Sequence, residues 1–336
     1  MTIGLTYDLC EYYIQQGYSA EEAAEFDSPE TIDGIEQALI ALGYKTERIG
    51  TIKELIPQLA IGNRWDLVFN IAEGVNGIGR EAQIPALLDA YNIPYTFSDP
   101  MVLSLTLHKG MTKHVINNLG IPTAVFTTIK SINELEEYKF TYPLFIKPAC
   151  EGTGKGIYDS SYINNQKELY ERCDILFRKF KQDILIEKYL SGREFTVGIL
   201  GTGRDAKIIA VMEIVSKADS TIYSLHQKKN YKEKVYYTLP TADIAKKCER
   251  IALDAWTGLG CRDCGRIDIR CDDMDNPYFL EVNPLAGLHP IDSDLPIMCS
   301  MVGISYNELI KDIVEAAFKH DTFAHDINQY HQFLAV

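Results

Sequence analysis

No stretch of this chain approaches the roughly 18 uninterrupted apolar residues of a membrane span, so contact with a membrane is not expected. Positive charge is scarce: 33 Lys and Arg face 47 Asp and Glu, a net charge of −14, and no Lys/Arg-rich run offsets it locally. Nucleic acid is therefore not an expected partner, and an anion, if bound, is bound in a pocket. The start of the chain, Met1-Thr2-Ile3-Gly4-Leu5, has no basic segment ahead of a long apolar one, which makes a cytoplasmic setting the expectation. The 8 cysteines lack the regular spacing of a disulfide framework and are read as reduced thiols. Cys261-Arg262-Asp263-Cys264 matches C-x-x-C. No second pair completes a four-ligand zinc set, and the motif runs into a strand where a redox pair opens a helix, so buried small residues are expected.

What is present begins with enough chain for two or three packed units: 336 residues, 46% hydrophobic, where a single core tends to split beyond about 250 residues. The first hundred residues alternate strands and helices. Strands are expected at 2–6 and 65–71, and a helix over 31–42 with Ile32, Ile35, Leu39 and Leu42 on one face. Ser28 and Pro29 would start that helix and Gly43 would end it. This is the pattern of a parallel sheet, whose C-terminal edge would carry the glycine-spaced loop Ala72-Glu73-Gly74-Val75-Asn76-Gly77, where ligands of open α/β sheets collect. One long helical stretch is expected over 100–120. Beyond it, strands at 142–149, 156–158, 183–189, 194–201 and 207–215 follow one another with short links, which implies antiparallel pairing and an α+β organisation. Residues 216–239 read as a polar loop, a lid or a disordered linker.

Two strands near the C-terminus carry the chemistry: Gly265-Arg266-Ile267-Asp268-Ile269-Arg270 and Pro277-Tyr278-Phe279-Leu280-Glu281-Val282-Asn283. Alternation puts Arg266 and Asp268 on one face, and Glu281 and Asn283 opposite Tyr278, Leu280 and Val282. Paired as a hairpin, they gather two carboxylates, an amide oxygen and a guanidinium. That set suits Mg²⁺ held together with substrate phosphates, beside an anion formed during reaction. Acids on the solvent face of a hairpin are the plain alternative.

Upstream, Lys147-Pro148-Ala149-Cys150-Glu151-Gly152-Thr153-Gly154-Lys155-Gly156 is glycine-rich, but Ile157 stands where a P-loop needs Ser or Thr. A strand-loop-strand flap over phosphates fits better, with Lys147 pointing to the nucleotide or to a carboxylate. The run Ile184 through Glu187, Lys188, Tyr189 and Leu190 ends a strand in a short turn able to read an adenine edge, and Glu194 can accept from ribose hydroxyls.

Taken together, Lys109, "PLFIKPACEGTGKGI", "ILIEKYLSGREFTV", "GRIDIR" and "FLEVNPLAG" resemble the ATP-grasp superfamily, most closely the D-alanine:D-alanine ligase family, over nearly the whole chain. The resemblance implies a three-domain architecture of α/β and α+β units clasping ATP. The expected divisions are 1–107 (N-terminal α/β), 108–187 (central, with the flap), 188–320 (C-terminal) and a tail, 321–336. It implies that Lys109 and Lys147 bind phosphates with Lys155 of the flap, Glu187, Tyr189 and Leu190 adenine, and Glu194 ribose. Asp268, Glu281 and Asn283 would hold Mg²⁺ or Mn²⁺, Arg266 would lie over the reacting carboxylate, the Gly287 N–H would stabilise an oxyanion, and Lys228 would belong to a mobile loop. The implied chemistry is a carboxylate activated as an acyl phosphate and attacked by an amine.

Departures concern the substrates. The family's Tyr after the loop lysine is Lys229 here, its glycine-loop serine is Thr153, and its N-terminal glutamate is Glu25 or Asp27. "NIAEGVNGIGRE", with Glu73, replaces a His-Gly loop, and the second-substrate segment reads His289-Pro290-Ile291-Asp292-Ser293-Asp294. Asp292 and Asp294 there would favour an amine over a carboxylate. The expected activity is thus ligation of an amino acid to an amine, with D-alanine or with substrates of specialised metabolism. A non-catalytic nucleotide-binding module is the rival reading. The family also commonly forms homodimers.

Overall fold

Three sheets organise the chain; the computed structural model describes residues 1–216 and 235–333, with side chains over 1–215 and 235–320. In the first sheet β1 (Thr2–Thr6) lies between β2 (Lys45–Gly50) and β3 (Leu67–Asn70), all parallel. The crossover helix Pro29–Ala41 starts on its proline and buries Ile32, Ile35 and Leu39. Ser28 makes no side-chain cap, so the start rests on Pro29 alone. Ile3, Leu5 and Phe69 share one core with Leu285, Leu288, Leu295, Ile310 and Ile313. Because that core belongs to both ends of the chain, the C-terminal edge of the parallel sheet is held over the loop after the last strand.

The second sheet is antiparallel, in the order β4-β7-β5-β6, with β4 (Phe126–Ile129), β5 (Leu144–Pro148), β6 (Tyr162–Ile163) and β7 (Ile184–Lys188). A strand does not form at 156–158. Thr153, Gly154 and Gly156 all have φ between 49° and 77°, which curls the loop, and the return strand starts only at Tyr162.

The third sheet, order β10-β9-β8-β11-β12, is antiparallel throughout: β8 (Glu194–Leu200), β9 (Lys207–Ser216), β10 (Val235–Thr238), β11 (Cys264–Cys271) and β12 (Pro277–Asn283). Residues Val235–Thr238, read above as loop, form an edge strand on β9, as their Val-Tyr-Tyr-Thr sequence favours. The helix Ala242–Leu259 backs the sheet and ends at Gly260, φ 77°. Cys261 is a buried free thiol in this core, and Cys264 is one in the core shared with the parallel sheet.

The helical stretch after Asp99 is broken in two, Pro100–Leu107 and Lys109–Asn118, at His108 (ψ 89°). The break puts Lys109 at a helix start facing the glycine loop. Among the described residues, no helix is long and apolar enough to cross a membrane.

Candidate active site

The hairpin β11–β12 pairs Asp268 with Glu281 and Arg266 with Asn283, so the four side chains expected to converge do so. A bulge makes the arrangement differ from simple alternation. Ile269 pairs with Phe279, leaving Leu280 as the extra residue, so Leu280 and Glu281 both reach the same cavity while Phe279 and Val282 go to the core. Arg266 donates to both oxygens of Asp268 (2.8 and 3.0 Å) and pairs with Asp294 (3.2 Å); Asn283 donates to Asp268 (3.1 Å).

Two cavities meet at this patch. The first is lined by Phe145, Lys147, Tyr189, Leu190, Ile214 and Leu280, with Lys109, Lys155, Glu187, Glu194 and Arg270 around them. Its floor is a buried ion triad: Glu187 lies 2.8 Å from Lys113 and 3.2 Å from Lys147. Burial opposes the charge on Glu187, but the two lysines hold its carboxyl below the usual range. Burial likewise opposes the charge on Lys147, yet Glu187 and Glu281 hold its ammonium above the ordinary lysine value. Lys109 and Lys147 each stand 3.8 Å from Glu281. The Glu187 carboxylate is therefore first a counter-ion, and the turn at Tyr189 and Leu190 is what borders the cavity as an adenine edge would require. Glu194, expected at a ribose, pairs with Arg270 at 3.1 Å, and Arg270 also donates to the Tyr189 hydroxyl (3.4 Å).

The second cavity, about 280 Å³, lies between the parallel sheet and the loop after β12, and Lys109, Arg266, Glu281 and Asp294 border both it and the first, while Asn283 borders the second alone. Glu73, Thr153, Gly287, Asp292, Ser293 and Asp294 line it, as do both Glu25 and Asp27. The Ser293 hydroxyl accepts from the His289 N–H (2.9 Å) beside Gly287. Glu25 is tied to Arg80 (3.0 Å), Lys155 (3.4 Å) and the Gly152 N–H, and so clamps the glycine loop to the N-terminal unit. Asp294 is held by Arg266 and by the Tyr237 hydroxyl (3.0 Å), so its charge is not left over for an incoming amine, contrary to the expectation from its position. Lys228 and Lys229 lie outside the described residues.

Sequence reasoning passed over Arg80, Glu81, Lys113, Tyr237 and Arg270. Arg270 had a signal, since it shares the parity of Arg266 and Asp268, and Lys113 follows Lys109 by one helical turn. Glu81 sits in "GREA" with nothing to mark it.

Burial raises the Asp27 and Glu81 carboxyls to about 7. An acid whose folded pKa lies above its unfolded value binds more protons when folded, so stability falls as pH rises from about 4 to about 7. Glu81→Gln should therefore stabilise the protein more at pH 8 than at pH 5, by on the order of 1–3 kcal/mol of unfolding free energy at the higher pH, measured by urea unfolding. Equal gains at both pH values would contradict the placement of Glu81.

A cavity floored by lysines, joined through two carboxylates and an arginine to a second cavity of amino-acid size, defines a nucleotide-dependent ligase. The family model for the D-ala D-ala ligase C-terminus matches residues 115–315. The D-alanine–D-alanine ligase of Bordetella petrii is 33% identical over 85% of this chain and 86% of its own length. That of Bordetella pertussis is 31% identical over 90% and 93%. Among solved structures, the D-alanine–D-alanine ligase of Bacillus anthracis complexed with ATP superposes with a TM-score of 0.74, covering 96% of this chain and 99% of that one at 21% identity. The chain belongs to the D-alanine–D-alanine ligase family, with the ATP-grasp fold, and is an ATP-dependent ligase.

Proposed function

We propose that the protein joins an amino acid to an amine through an acyl phosphate, with ATP in the first cavity and the acyl and amine substrates in the second. The observation that carries this is the position of Arg266, Glu281 and Asp294 on the wall common to both cavities, with Lys109 beside them. A carboxylate is a poor acyl donor. Transfer of the γ-phosphoryl group onto it creates a leaving group, and the work of the protein is positioning and charge neutralisation. Lys109 and Lys147 face the phosphoryl oxygens, and the flap residue Lys155 closes over them. Arg266 and the Gly287 N–H are the donors available to the oxyanion that forms when the amine attacks.

The donor set fits Mg²⁺. Among the described residues no three His, Cys, Asp or Glu side chains gather into a protein-only cage, whereas Asp268 and Glu281 are direct cross-strand partners with Asn283 beside them. Mg²⁺ binds in that manner, through one or two carboxylates and substrate phosphates. When bound there by Asp268, Glu281 and Asn283, it would supply charge neutralisation to the transferring group.

The relatives named above are D-alanine–D-alanine ligases, which supports small amino acids as substrates. A phosphate-release screen with D- and L-amino acids and amines tests the reading, the expected products being ADP, phosphate and a condensed amide. AMP and pyrophosphate as products would reject it.

A further inference from the structure

Charge is balanced around most of the proposed ligase site and unbalanced at one end of it. Glu281 faces Lys109 and Lys147, Asp268 and Asp294 share Arg266, and Glu25 is met by Arg80 and Lys155. Asp27 is hydrogen-bonded to the Thr31 side chain, and Glu73 and Glu81 remain. Both line the second cavity, and among the described residues neither side chain has a hydrogen bond or an ion pair. The cations whose fields reach them are directed elsewhere: Arg80, which acts on both, to Glu25 and to the Cys150 carbonyl at 2.9 Å, and Lys109, which acts on Glu81, to Glu281 and the Glu151 carbonyl. The neighbouring walls include Ile71, Leu107 and Leu285, which leave the two carboxyls in a poorly polarisable surrounding.

We propose that the second cavity takes an amine substrate bearing an additional cationic group, an ammonium or guanidinium remote from the reacting atoms, lodged between Glu73 and Glu81. This rests on the ligase reading and names the substrate class of the same site. Two carboxyls without a paired counter-charge, once ionised, repel the carboxylate of a simple amino acid and each other. A cationic group removes both penalties at once. Burial followed by mutual repulsion pushes Glu73 well above the usual carboxyl range, as burial does Glu81, so ionising both is costly until a cation is supplied. The cavity's volume, about 280 Å³, suits a basic amino acid or a short diamine better than a peptide. Selectivity of this kind is strong because a neutral competitor leaves the carboxyls unsatisfied.

The test compares lysine, ornithine and 1,3-diaminopropane with D-alanine as amine substrates of the full chain, by phosphate release and mass of the product. At least one dicationic probe is expected to exceed D-alanine in kcat/KM by about tenfold or more. In Glu73→Gln and in Glu81→Gln, its KM should rise about tenfold with kcat changed less than about threefold, while KM for D-alanine should fall, because one repelling carboxyl is gone. Both substitutions relieve repulsion, so neither variant should melt below the parent protein. D-alanine used as well as or better than every dicationic probe overturns the proposal, as does a selectivity ratio unchanged in both variants. Failure of the ligase reading looks different, with no phosphate released for any substrate. The subsite is then judged by calorimetric titration of the same diamines into the parent and into Glu81→Gln, and equal or absent binding overturns it.

Discussion

Glu281→Gln should cut ATP-dependent phosphate release by at least about a hundredfold, equivalent to some 2.7 kcal/mol of transition-state stabilisation. Glu281 is the cross-strand partner of Asp268 and stands 3.8 Å from both Lys109 and Lys147, so its charge acts on the metal site and on the phosphate-facing lysines at once. An amide of the same shape keeps the bulge at Leu280 and removes that charge. The side chain is partly open to the cavity, 22% exposed, so the fold should not suffer and melting temperature should be nearly unchanged. Loss of turnover with intact folding is the expected pair of results. Unchanged phosphate release would remove Glu281 from the metal set, and a collapse in stability would make it a structural residue instead.

The hairpin was legible because alternation is a strong local rule, and it put Arg266 with Asp268, and Glu281 with Asn283, on the right face. The rule says nothing of bulges. Leu280 was assigned away from Glu281, and only the register shift against Ile269 brings both into one cavity. Similarly, the helical stretch after Asp99 has Gly110 near its middle, but that residue lies within the second helix, and the break at His108 depends on Lys109 meeting the glycine loop: its N–H donates to the Ala149 carbonyl (2.9 Å) and its ammonium to the Glu151 carbonyl. The parallel sheet, the antiparallel β8–β9 pair and the Gly260 stop could be read from composition and spacing. The charge pattern of the second cavity could not. Glu25, Arg80 and Lys155 lie far apart in sequence, and only folding shows that they neutralise one another and leave Glu73 and Glu81 unmatched.

Glu187→Gln is expected to cost about 3–5 kcal/mol of stability at neutral pH, the range for breaking a buried ion pair by removing one partner. Lys113 is fully buried and Lys147 nearly so, and a single carboxylate serves both. In the variant Lys113 keeps the Thr123 hydroxyl (2.7 Å) and the face of the Phe126 ring (5.6 Å), and Lys147 keeps Glu281 at 3.8 Å. Burial already lowers the Lys113 ammonium below its ordinary value, and without Glu187 only the weaker field of Glu281 offsets that. A lysine whose folded pKa is depressed binds fewer protons folded than unfolded, so the variant's stability should rise with pH and its deficit should narrow from pH 6 to pH 9. Urea unfolding across that range, with constant m-value, measures it. Lys113→Met combined with Glu187→Leu should recover much of the loss, because it replaces the pair with apolar groups and leaves no orphaned charge on Lys113. ATP should stabilise the single variant more than the parent, since its phosphates offer Lys147 the anion that Glu187 supplied. The triad also reaches the chemistry: Thr123, held by Lys113, donates to the Phe279 carbonyl (2.9 Å), two residues before Glu281 on β12. A loss below about 1 kcal/mol with no pH dependence would mean that the lysines find other partners, and that this link between the nucleotide floor and the metal strand carries no load.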